Sequence, residues 1–217
     1  MCCITIELNK LASQIWITRH LDINYKRKYY TELLCKKLYR CEINSFRLIG
    51  KVIIFDDLKL LVSSVRDIVL WKNSITYKDG SIVMLDAILE CFSNIRTFDF
   101  DFGDDTSLIN PSRASNLMKL QNLGNLKLFT LRQLPEIFAV EDLSAFLKKF
   151  KNIHVSLSFN GNISHEYKNQ LAGLVDQILE AKAFHHILYE GQDEAKKEAM
   201  RDPGIMHRIC RKIAAYN

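Results

Sequence analysis

One spacing recurs along this chain and limits what it can fold into. An apolar residue, a gap of two, a second apolar residue, a gap of one and a third occur at Val65, Ile68 and Leu70, at Ile95, Phe98 and Phe100, and at Leu126, Phe129 and Leu131. Between the recurrences lie helix-like patterns. Leu85, Ile88, Leu89 and Phe92 follow the first phrase, Ala114, Leu117, Met118 and Gln121 the second, and Leu143, Phe146, Leu147 and Phe150 the third. Each has the i, i+3, i+4, i+7 spacing of a helix with one apolar stripe. Asn110 can cap the second helix, with Pro111 at its first position.

A five-residue strand advances about 17 Å and an eleven-residue helix returns about 16 Å, so each strand can start beside the last. Right-handed crossovers then make neighbouring strands parallel, and stacking buries what one unit alone cannot. Starts at 65, 95, 126 and 153 give steps of 30, 31 and 27. The expected fold class is α/β, a short leucine-rich-repeat-like solenoid of parallel strands alternating with helices, with a helical N-terminal segment. The fourth unit, "NIHVSLSFNG", alternates strictly at Val155, Leu157 and Phe159, and Ser156 occupies a place where an apolar residue is due. Residues 163–182 read as the longest helix, capped by Ser164, with Glu166 at its positive end and Tyr167, Leu171, Leu174 and Ile178 on its apolar face. "HHILYEG" reads as one more short strand, and "GKVIIFDD" as a strand only 13 residues before Val65. The expected organisation is residues 1–50 as a basic, partly helical segment, 51–195 as the repeat-like domain and 196–217 as a basic tail.

The net charge of +5 on 217 residues is unevenly placed. Residues 1–51 hold ten Lys/Arg against four Asp/Glu, and the remainder hold twenty against twenty-one. The basic stretch "YKRKYYTELLCKKLYR" interleaves cations with tyrosines, as a nucleic-acid track does. It also fits an amphipathic helix with Tyr30, Leu33, Leu34 and Leu38 close to one face. Six cysteines form no CxxC pair and no Cys/His set with zinc spacing, so reduced thiols and a cytoplasmic or nuclear location are expected. Glu7 and Lys10 interrupt the first apolar run, unlike a signal peptide. No run approaches the length of a membrane span.

The sharpest enzymatic lead is "FDFDFGDD". Asp99 and Asp101 have the spacing of a nucleophile and acid around Mg²⁺, but the same alternation turns Phe98, Phe100 and Phe102 inward and both aspartates outward, in register with the repeat. His185 and His186 would point to opposite faces of a strand and are expected at solvent or a sheet edge. No phosphate-binding loop, dinucleotide fingerprint or nucleophile elbow is present. No catalytic residue, cofactor or metal site is expected.

What remains is the outward set on the parallel strands: Asp67 and Val69, Thr97 and Asp99, Leu128 and Thr130, His154 and Ser156. In a curved repeat these share a sheet face of the kind such architectures use for binding, and Val69 and Leu128 favour contact. The alternative is that they are merely solvated.

"LGNLKLFTLRQLPEIFAVEDLSAFLKKFKNIHVSLSF" and "ISHEYKNQLAGLVDQILEAK" resemble the C-terminal region of the nematode F-box-associated proteins, the FTH-type domain. "LWKNSITYKDGS", "NIRTFDFDF" and "YEGQDE" are similar to further pieces of that pattern, and the likeness covers roughly residues 64–195. It implies a non-enzymatic module that recruits a target protein to a cullin-RING ubiquitin ligase, docked through a Skp-type adaptor by an N-terminal F-box. An F-box usually opens with a Leu-Pro pair, whereas the first proline here is Pro111, so residues 1–50 would be a diverged or lost F-box. The alternative function is nucleic-acid binding through the basic N-terminal segment.

Overall fold

The computed structural model describes residues 8–24, 30–92, 94–103, 107, 109 and 125–200. It is mixed α/β, with parallel strands alternating with helices, and the chain divides into two compact units, residues 1–126 and 127–217. In the first unit the order is β1 (Ile15–Ile23), α1 (Tyr30–Lys37), β2 (Leu38–Ile49), β3 (Val52–Ile54), α2 (Phe55–Val62), β4 (Asp67–Trp71), β5 (Ser74–Thr76), α3 (Leu85–Glu90) and β6 (Thr97–Asp101). Strands β1, β2, β4 and β6 lie side by side in that order, all parallel, and β3 and β5 form a second, two-stranded parallel sheet.

The recurring apolar phrase sets the register. Ile68 lies opposite Phe98 and Leu70 opposite Phe100, and all four are fully buried. Phe98 and Phe100 stack with ring centroids 6.0 Å apart. On the other side Phe46 lies opposite Ile68 and Leu48 opposite Leu70. The phrase therefore has an earlier copy at Ile43, Phe46 and Leu48, starting 22 residues before Val65. The same offset relates β3 to β5, with Val52 opposite Ser74 and Ile53 opposite Ile75. Val52 thus belongs to a unit that begins at Ile43, which is why its 13-residue distance from Val65 is too short for a unit of its own.

Two devices end these strands. Gly50, Lys72 and Gln133 each stand seven residues after the start of a phrase and adopt left-handed backbone, with φ of 61°, 53° and 59°. Gly50 N–H then donates to the Trp71 carbonyl and Lys72 N–H to the Asp101 carbonyl, both at 2.9 Å. Next to the turn, buried Asn73 accepts the Lys51 N–H at 3.0 Å and donates to the Leu48 carbonyl at 2.9 Å. An amide at this place satisfies backbone groups that a turn would otherwise bury unpaired.

The N-terminal segment, expected to be helical, is mostly strand. Among its described residues only the single 3-10 turn Leu8–Lys10 and α1, Tyr30–Lys37, are helical, and Leu38–Ile49 continues directly as β2. Local spacing in Tyr30–Leu38 favours a helix, but Phe46 and Leu48 alternate inward and are fully buried beside Ile68 and Leu70 of β4, and Ile43, just before that paired stretch, is fully buried too. That pairing outweighs helical propensity. The basic residues Lys26, Arg27 and Lys28, the helix expected around residues 114–121 and the tail from Pro203 lie outside the described residues.

In the second unit the order is β7 (Leu128–Leu134), α4 (Val140–Lys149), β8 (His154–Phe159), α5 (His165–Glu180), β9 (His185–Leu188) and α6 (Glu194–Met200), with β7, β8 and β9 parallel in that order. Ser164 caps α5 by accepting the Tyr167 N–H at 3.1 Å, and Glu136 in turn accepts from Ser164. Tyr167, Leu171, Leu174 and Ile178 are buried, as their spacing requires. Phe129 lies opposite Val155 and Leu131 opposite Leu157. Ser156 therefore lies beside Thr130, not Phe129, and the inward places beside Phe129 and Leu131 are filled by Val155 and Leu157. His185 does lie on a strand at the end of the sheet order, but the solvent exposure expected for it is corrected. It faces inward opposite Val155, is 4% exposed, and its Nε2 lies 3.1 Å from the Leu147 carbonyl. His186 points to the opposite face, as expected.

Candidate functional site

The outer face of the first sheet is defined by what the core excludes. Because Phe46, Ile68 and Phe98 turn inward along one row and Leu48, Leu70 and Phe100 along the next, their neighbours Arg47, Val69 and Asp99 align across three strands on the other side. Ser45, Asp67 and Thr97 form the row before, and Trp71 and Asp101 stand in the row after.

Trp71 is held from both sides. The Arg47 guanidinium lies over its ring, 4.8 Å from the centroid, and its indole N–H donates to Asp99 Oδ1 at 3.0 Å. The side chain comes from β4 and its partners from the strands on either side, so the sheet register itself fixes the ring. Nearby, Arg96 grips Asp67 through two hydrogen bonds, Nη2 to Oδ2 at 3.0 Å and Nε to Oδ1 at 3.4 Å. Asp101 accepts the Gly103 N–H at 2.7 Å. Gly103 itself is required here: its φ is +61°, and an added Cβ would meet the Lys72 side chain at 3.1 Å.

A second aromatic of the same design sits on this face. The Trp16 indole N–H donates to Glu42 at 3.2 Å, the Arg40 guanidinium carbon lies 5.3 Å from its ring centroid, and Arg40 pairs with Glu42. Trp16 is 57% exposed, more than Trp71, which is half-buried. The chain's two tryptophans thus both lie outside the core, each with an arginine over its ring and a carboxylate on its N–H. This departs from the usual burial of large aromatic area.

Of the outward residues expected from sequence, Asp67, Val69 and Asp99 are half-buried on this face beside Trp71. Thr97 is on it too, but is only 8% exposed. Leu128, Thr130, His154 and Ser156 belong to the second unit, where Leu128 pairs with His154 and Thr130 with Ser156. Leu128, His154 and Ser156 are half-buried, whereas Thr130 is 4% exposed, so the accessible outward position expected for it is corrected. Burial pushes the His154 pKa down, opposed by a hydrogen bond with the Phe184 backbone. The structure groups these eight residues as two sets of four, one in each unit.

Arg47 and Trp71, the centre of the first set, are absent from the sequence-based selection. The signal for Arg47 was the phrase beginning at Ile43, which places it in the row of Val69 and Asp99. Trp71 follows from carrying the outward alternation of Asp67 and Val69 one step further. Asp99 and Asp101 do alternate outward, with Phe98, Phe100 and Phe102 buried, but both carboxylates serve as acceptors for the fold. Among the described residues no group of three or more His, Cys, Asp and Glu side chains could hold a metal ion, and no helix is long and apolar enough to cross a membrane. No family model matches the chain, and no curated protein or solved structure matches it either.

Proposed function

We propose that the chain is a non-enzymatic protein-interaction module, a short leucine-rich-repeat-like solenoid of the F-box-associated kind, whose first sheet presents its outer face to a target protein. The observation that carries this reading is Trp71, held between Arg47 and Asp99 on a face the core does not use. Tryptophan and arginine are enriched where protein interfaces concentrate their energy. A ring already fixed by its neighbours loses little rotamer freedom on binding. Val69 adds apolar area in the centre, and the Asp67–Arg96 pair supplies a polar rim. Leu128, His154 and Ser156 are further candidate contacts on the second unit.

The charge pattern favours a protein over a nucleic acid as the ligand of this face. Asp67, Asp99 and Asp101 alternate with Arg47 and Arg96, whereas a phosphate track calls for one sign of charge. Nucleic-acid binding would have to run through Lys26, Arg27 and Lys28, and loss of salt-dependent RNA or DNA retention on their replacement is what would support it. The free thiols of Cys35, Cys41 and Cys91 accord with a reducing compartment, cytoplasmic or nuclear.

The test is co-purification with the full chain, comparing wild type and Trp71→Ala by mass spectrometry. A set of proteins retained by the wild type and lost from the variant supports the reading, and identical profiles overturn it. Retention of a Skp-type adaptor in the same experiment assigns the module to a cullin-RING ligase. Its absence leaves a free-standing binding module.

A further inference from the structure

We infer that β1 is a self-association edge, pairing antiparallel with β1 of a second copy of this chain about a two-fold axis. Among the described residues, β1 is paired on one side only, with β2. It is nine residues long, a run of about 30 Å whose outer backbone groups face away from the sheet. Proteins normally blunt such an edge with charge, proline, a bulge or a short strand. Here those devices are placed unevenly. The register shifts once in each half, between Ile15 and Trp16 and between Arg19 and His20, but the left-handed backbone at Arg19, with a φ of 70°, and the charged residues Arg19 and Asp22 fall in the second half. The first half, Ile15–Thr18, carries no charge and no proline, and consists only of β-branched and aromatic residues.

The side chains name the occupant. Ile15 and Ile17 are half-buried at the margin of the first unit's core, and Trp16 on the other face is exposed. A strand that completes this edge needs an apolar residue opposite Ile17 and an uncharged small residue opposite Trp16. The same segment of a second copy provides both. Centring the two-fold at Ile17 puts Ile17 opposite Ile17 of the second copy and Trp16 opposite Thr18 of the second copy. Arg19, with its left-handed backbone, ends the pairing at each side. Such an isologous contact closes on itself and does not propagate. Directly opposed residues of antiparallel strands point to the same side of the sheet, so the dimer presents two copies of the Trp71 face in one direction.

Sedimentation of the full chain across a wide concentration range tests this. The expected result is a reversible species of twice the 25.2 kDa chain. Thr18→Lys, at an exposed position, should leave the thermal melt unchanged and weaken the dimer by about tenfold or more. Ile17→Cys should form a reducible covalent dimer on mild oxidation, beyond any seen with the native cysteines. A monomer at every concentration overturns the inference. So does a dimer that Thr18→Lys leaves unweakened, or one in which Ile17→Cys gives no added cross-link.

Discussion

Asn73 Oδ1 accepts the backbone N–H of Lys51 at 3.0 Å while Asn73 Nδ2 donates to the Leu48 carbonyl at 2.9 Å, so a single buried amide ties the end of β4 to the turn that follows β2. The asparagine stands eight residues after Val65, three beyond the phrase's last apolar residue, Leu70, and it spans the 22-residue offset between neighbouring strands. Asn73→Ala leaves a buried donor and a buried acceptor unsatisfied, and is expected to cost about 2–4 kcal/mol, from two groups at roughly 1–3 kcal/mol each with partial relief by water. Urea denaturation measures it. A loss within experimental error of zero would mean that solvent replaces the amide and that the strand ends are held by other contacts.

Trp71→Ala should reduce target binding by about 2 kcal/mol or more, roughly thirtyfold in Kd, as central interface aromatics do. Trp71→Phe keeps a ring under Arg47 but removes the N–H that Asp99 accepts, so it should fall between wild type and Trp71→Ala. Titration of the captured target against the three proteins checks the order. Equal affinity for all three would place the binding surface elsewhere.

Phe129 and Thr130 are adjacent in β7 and both buried, yet they do different work. Phe129 packs against Phe146 with ring centroids 5.7 Å apart. Phe129→Ala removes a core aromatic and should cost about 3–5 kcal/mol. Thr130→Ala removes little volume from the other face and should cost about 1 kcal/mol, more than a solvated threonine would because its side chain is covered. Paired denaturation curves settle the comparison, and equal losses would contradict the inward and outward assignment.

Lys72 holds left-handed backbone that a side chain disfavours by about 1–2 kcal/mol. Glycine removes that strain but adds freedom to the unfolded chain. Lys72→Gly should therefore be neutral to stabilising by about 1 kcal/mol, whereas Lys72→Val, a β-branched residue at positive φ, should destabilise. Melting temperatures of the two variants should move apart. A shift in the same direction for both would show that the turn relaxes to ordinary backbone.

Folding stability should fall in mild acid. Burial pushes the His185 pKa below its ordinary 6.5, only partly offset by the Leu147 carbonyl, with a further lowering from His154. Burial likewise lowers the His154 pKa. In both cases the unfolded chain takes up protons at a higher pH than the folded one, so the stabilisation is fully present above pH 6.5 and is lost as pH falls through that value towards the folded pKa. His185→Gln should flatten the pH dependence measured by denaturation between neutral and mildly acidic buffers. An unchanged slope would assign the effect to His154 or other groups.

Much of the fold is legible from the phrases at Val65, Ile95 and Leu126, because side chains two positions apart on a strand, such as Ile68 and Leu70, share a face by the pleat alone, with Val65, Ile95 and Leu126 buried just before their strands begin. The parallel register of Ile68 with Phe98 follows from that spacing plus the helix between, whereas that of Phe129 with Val155 does not, because a unit starting at Ile153 would put Phe129 beside Ser156. The Ile43 copy is harder to see. Its step is 22 residues instead of 30, and the amphipathic run ending at Leu38 directly precedes it, so local helix signals mask a strand whose stability lies in its neighbour. Of the outer face, Asp67, Val69 and Asp99 could be placed by alternation. Arg47 and Trp71 could not be joined, since they are 24 residues apart and meet only because β2 and β4 are adjacent.

By itself, then, the sequence determined which residues avoid water and with what period, which is a property of each short segment and its own backbone geometry. Only the tertiary structure decided that residues 38–49 are a strand, that Thr97, Thr130 and His185 are covered, and that Trp71 stands between Arg47 and Asp99. Each of these depends on which distant segment lies alongside, and the free energy of that choice is shared between segments, so neither one carries it in its own pattern.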